Sequence, residues 1–97
     1  MKKAVITVLG HDKVGIIARV CTFLSEANVN ILDISQTIVG GYFDMVMVVD
    51  ITEMTQDFDK VADGLASIGE EMGLVIKMQH TETVSYTHLT LPTNSLV

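Results

Sequence analysis

Three observations predict an α+β fold of order βαββαβ. Two stretches repeat apolar residues at three- and four-residue spacing, β-branched runs flank them, and a Gly-Gly pair separates the two central runs. Ala4 to Leu9 is a β-branched run ending at Gly10 and reads as the first strand. From Ile16, positions 16, 17, 20, 21, 24 and 27 form the stripe of an amphipathic helix, with Asn28 a good stop. Val29 to Val39 reads as a long second strand in which Leu32, Ile34 and Ile38 share one face. Gly40-Gly41 supplies the positive φ of a two-residue hairpin, and Tyr42 to Ile51 follows as the third strand. Thr52 to Gln56 is a polar connection. Asp57 is placed to cap a second helix, which carries Phe58, Val61, Ala62, Leu65, Ile68 and Met72, with Gly73 placed to end it. Leu74 to Met78 is a short fourth strand. Two right-handed crossovers joined by a hairpin give the ferredoxin-like plan, a four-stranded antiparallel sheet with both helices on one face.

The 97 residues suffice for one domain with a modest core. At 48% hydrophobic the chain has a globular rather than a disordered profile. Its formal net charge is −6, and it has no Lys/Arg cluster, which argues against nucleic acid as a partner. The apolar runs are too short to span a membrane. Lys2 and Lys3 precede a run that ends at Gly10, too short for a signal peptide. One cysteine allows no disulfide within the chain, so a reducing cytoplasm is the expected location.

Residues 1–80 form the expected domain, and residues 81–97 a tail of different composition. All twelve acids and all six Lys/Arg precede residue 84, whereas the tail holds the only proline, Pro92. One codon choice for Val84 to Thr93 spells a transposase adapter of sequencing libraries, so this stretch is expected to be adapter read-through. His88, Tyr86 and Pro92 therefore carry no functional weight.

The third strand is apolar on both faces. Phe43, Met45, Met47, Val49 and Ile51 share one parity, while the other keeps Val46 and Val48 at its centre between Asp44 and Asp50. Two helices on one side leave the second face uncovered, and this face predicts a homodimer.

The loop "LGHDKVGI" joins the first strand to the first helix. Gly10, Asp12, Lys13, Gly15 and Ile16 after that strand, followed by Asn30-Ile31 opening the second, resemble an ACT domain. The stretch "NILDISQTIVGGYFDMVMVVD" is similar to the small stand-alone bacterial ACT proteins, and the resemblance covers residues 3 to about 80. It implies a regulatory homodimer that binds an amino acid or related metabolite at the subunit interface, near the first loop and the second strand. The ligand-binding candidates are then Gly10, His11, Asp12, Lys13, Val14, Gly15 and Ile16, with Asn30 and Gln36.

The chemistry of these residues suits such a role, although each also has a plain structural reading. The two glycines let backbone approach a ligand and tolerate unusual φ; Gly15 equally reads as the residue that lets helix pack on sheet. The helix N-terminus favours a carboxylate. Asp12 reads equally as acceptor for an α-ammonium group or as helix cap, and Lys13 as a contact or a solvated charge. His11 sits at the loop tip. Asn30 offers donor and acceptor. Gln36 shares the parity of Leu32, Ile34 and Ile38, which calls for a polar partner, a ligand or interface role, or a strand bulge. Cys21 and the six methionines read as core residues.

No cofactor or metal is expected, since no Cys/His spacing suits zinc and no phosphate loop is present. His11 beside Asp12 is a poor acid/base pair, because adjacent residues seldom aim at one substrate atom, so an enzyme is not expected. The alternative function is a ligand-free module that pairs with a partner through its sheet.

Overall fold

The computed structural model describes residues 1–81, so the reading of residues 84–93 as adapter lies outside the described residues. The elements run β1 (Lys3–His11), α1 (Ile16–Glu26), β2 (Asn30–Val39), β3 (Tyr42–Asp50), α2 (Phe58–Met72) and β4 (Leu74–His80). The strands lie in the order β2-β3-β1-β4 and every pairing is antiparallel. This is the expected ferredoxin-like sheet. Gly40 and Gly41 sit at φ 58° and 84°, the left-handed pair that a tight hairpin closed by Val39 and Tyr42 demands.

The core forms between one sheet face and the two helices. Ile16, Val20 and Leu24 of α1 and Val61, Leu65 and Ile68 of α2 are the buried stripes. They pack with Ile6 and Val8 of β1, Phe43, Met45, Met47 and Val49 of β3, and Ile76 and Met78 of β4. Each such side chain contributes about 1.5–3 kcal/mol by leaving water. Cys21 is half-buried at the margin of this cluster rather than inside it.

Four details depart from expectation. β1 extends through Gly10 and His11 because these residues still pair with Phe43 and Tyr42. β4 extends to His80, which pairs with Ala4. Asp57 is the N-cap residue of α2, yet its side chain makes no capping hydrogen bond. The fourth is a bulge in β2: Ile31 opposes Val49 and Asp33 opposes Val48, so Leu32 is the extra residue. Ile31 and Ile34 therefore share the helix-side face, and the simple alternation that grouped Leu32 with Ile34 is broken.

β2 is an edge strand that the helices do not cover. Ile34, Gln36 and Ile38 oppose Met47, Met45 and Phe43 and so lie on the helix side. Nevertheless Ile34 is 39% exposed and Ile38 52% exposed. Gln36 is exposed too, so its place among isoleucines carries no burial cost, and the bulge lies upstream of it.

Candidate functional site

β1 and the tight hairpin bring the first loop and the far end of β2 to the same end of the sheet. The Asp12 N–H donates to the Gly41 carbonyl at 2.8 Å, tying the loop to the β2–β3 turn. Beside this tie, a groove of about 460 Å³ opens between the start of α1 and the helix side of β2. Asp12, Lys13, Gly15, Ile16, Ile17, Ala18, Gln36, Ile38 and Phe43 line it. Five of the nine sequence candidates (Asp12, Lys13, Gly15, Ile16 and Gln36) thus come together.

Each of these five has a definable part. Gly15 is the N-cap of α1 at φ 88°, a conformation that side chains rarely adopt, and no atom lies within 4 Å of the Cβ it lacks. Its role is backbone geometry, and the expected helix-on-sheet packing role falls away. No side chain caps α1 and no acid stands in its first turn, so Asp12 is not the helix cap. The first-turn N–H groups, which have no partner inside the helix, border the groove. Ile16 is buried beneath it with Phe43. The Lys13 ammonium points elsewhere: its Nζ would lie 3.6 Å from a Cβ placed on Gly73, at the C-terminal end of α2. A cation there complements the helix dipole.

The remaining four candidates lie outside this groove. At Gly10 a Cβ would come within 2.7 Å of Leu74 Cδ2 and 3.0 Å of the Gly73 carbonyl, so close packing against β4 requires glycine. His11 stacks on Tyr42 with ring centroids 4.6 Å apart. Val14 is fully exposed at the loop tip. Asn30 pairs with Asp50 at the opposite end of β2, about 30 Å along the strand from the loop. The expected proximity of Asn30 to the loop does not exist within one chain, because α1 carries the backbone the length of the sheet before β2 begins. Asn30 instead borders a second groove of about 630 Å³, with Cys21, Ser25, Asn28, Ile31, Asp50 and Glu53.

The sequence reading missed Ile17, Ala18, Ile38 and Phe43. Ile17 and Ile38 carried a signal, since each is an apolar residue at the margin of what two helices can cover. Among the described residues, no group of three or more His, Cys, Asp and Glu is placed to hold a metal ion. No helix of the described residues is long and apolar enough to cross a membrane. The Asp50 carboxyl is held below its ordinary range by the Thr52 hydroxyl, which donates at 2.6 Å, and by the Thr52 N–H at 2.9 Å.

Known proteins share this architecture and sequence. A UPF0237 protein of Bifidobacterium longum is 51% identical over 88 residues, covering 91% of this chain and 98% of the relative. The solved ACT domain protein from Streptococcus pneumoniae superimposes with a TM-score of 0.74 at 37% identity, covering 87% of this chain and 94% of that one. A putative glycine cleavage system transcriptional repressor matches with a TM-score of 0.73 at 26% identity, over 82% of this chain and 46% of that one. The family model of the ACT domain matches residues 2–79. The chain therefore belongs to the ACT-domain family.

Proposed function

We propose that this protein is a regulatory ligand-binding domain, not an enzyme, that senses an amino acid or related metabolite as a homodimer in the cytoplasm. The observation that carries this reading is the groove beside the first loop. It combines the uncapped start of α1, which suits a carboxylate, with the exposed carboxylate of Asp12, which suits an ammonium group. Gln36 adds an amide on the facing strand. The family supports a regulatory role, as does the repressor among the structural relatives. The net charge of −6 argues against nucleic acid and against anionic lipid as partners. Residues 1–80 are the functional unit in this reading, and residues 84–93 the adapter read-through.

Two surfaces favour self-association. The sheet face away from the helices keeps Leu9, Val39, Tyr42 and Val75 exposed. The other is β2, a ten-residue edge strand exposed along nearly its whole length. An unprotected edge of that length is a ready template for a second strand. If two β2 strands pair antiparallel about a two-fold axis, the pairing would bring the Asn30 end of the second β2 alongside the Gln36–Ile38 end of the first.

A thermal-shift screen of the twenty amino acids, with light scattering for mass, tests the reading. A stabilising amino acid whose effect is lost in Asp12→Ala, with a dimeric mass, is the expected result. A monomer that no amino acid stabilises overturns it. The same open edge favours the second reading, a ligand-free module pairing through its sheet, and a dimer without any stabilising amino acid selects that one.

A further inference from the structure

We infer that the groove takes an amino acid with a large apolar side chain, aliphatic, thioether or aromatic, in preference to a small or charged one. This rests on reading the groove as an amino-acid site and names the class of ligand it selects. The polar groups of the lining are the Asp12 side chain and the first-turn N–H groups of α1 on one side and the Gln36 amide on the facing strand. They match the ammonium and carboxylate that every amino acid carries, and so cannot tell one from another.

Discrimination falls to the rest of the lining. Ile16 and Phe43 form a buried floor, and Ile17 and Ile38, 37% and 52% exposed, form facing walls. Exposed isoleucines on an edge strand and a helix shoulder gain most when an apolar group covers them. An acidic side chain would find no cation here, because the one lysine in the lining directs its ammonium to Gly73. A basic side chain would compete with the ligand's own ammonium for Asp12, the single carboxylate present. Setting an unpaired charge against isoleucine and phenylalanine is strongly unfavourable. Alanine or serine would leave the walls wet. One methylene in an apolar pocket discriminates by about 10- to 200-fold, so leucine, methionine or phenylalanine should exceed alanine by about tenfold or more.

Calorimetric titration of the full chain with leucine, methionine, phenylalanine, alanine, serine, aspartate and lysine separately reads this preference. Ile38→Thr keeps a β-branched residue on the strand and should reduce the leucine-to-alanine affinity ratio several-fold. Should that variant melt early, Ile17→Ala on the exposed shoulder of α1 makes the same measurement. Apolar ligands binding tighter, with the ratio reduced in the variant, supports the assignment. Alanine, serine, aspartate or lysine binding as tightly as leucine overturns it while the amino-acid site stands. Absence of heat with every amino acid overturns both the site and its selectivity.

Discussion

The glycines at the two ends of the first loop act for different physical reasons, and substitution separates them. At Gly10 the obstacle is space, since an added Cβ meets Leu74 Cδ2 at 2.7 Å and the Gly73 carbonyl at 3.0 Å. Gly10→Ala is expected to lower stability by about 1–3 kcal/mol through overpacking. At Gly15 the space is open and the obstacle is φ 88°. Gly15→Ala is expected to cost about 1–2 kcal/mol through left-handed strain. Urea unfolding monitored by circular dichroism measures both, and a Leu74→Ala background should relieve only the Gly10 variant. Asp50 gives a pH signature at the same scale. Its carboxyl is held low by Thr52, so it favours the folded state above the ordinary carboxylate range, near pH 4. That contribution is lost as pH falls through the lowered folded value. Thr52→Ala should therefore reduce stability at pH 7 and flatten its decline below pH 4, as measured by urea midpoints across pH. An unchanged acid limb would show that the Thr52 contacts do not set the titration.

At the scale of elements, β2 departs most from what an amphipathic pattern suggests. Ile34 and Ile38 point to the helix side but remain exposed, because the sheet order puts this part of the edge strand at the margin of what α1 and α2 cover. Ile34→Lys places a charge on this edge, a device that natural sheets use to prevent edge pairing. Dissociation to a monomer with little loss of monomer stability is the expected outcome, checked by light scattering and thermal melting. A persistent dimer would move the interface to the open sheet face. The helices and the hairpin were legible in the sequence because helical period and paired glycines are local properties. The bulge at Leu32 was not, since it depends on which β3 residue each β2 residue meets. The site was half legible for a similar reason. Residues next to one another in the loop are visible as a motif, whereas Phe43 is brought to it by the pairing of β1 with β3 and Ile38 by the pairing of β2 with β3. Asn30 is a candidate through family resemblance, and the topology of one chain places it at the other end of the sheet.

For the whole molecule, two layers bury one sheet face and leave a long edge and, on the other face, the exposed side chains of Leu9, Val39, Tyr42 and Val75, and the candidate ligand groove lies along that edge. If a second copy closes the groove, ligand binding and dimerisation are linked, and linkage is reciprocal. Whatever factor the ligand contributes to dimer affinity, dimerisation must contribute the same factor to ligand affinity. Coupling between sites is typically 1–3 kcal/mol, or about 5- to 150-fold. Sedimentation of the full chain with and without saturating leucine should show the dimer dissociation constant falling within that range. Calorimetry above and below that constant should show leucine affinity rising with protein concentration by the same factor. Ile34→Lys, held monomeric, should bind leucine with the weaker affinity at every concentration. A dimer constant unmoved by a ligand that binds would mean the second copy makes no contact that distinguishes bound from empty groove. The two functions of the edge would then be independent, and dimerisation would not be how the ligand signal is passed on.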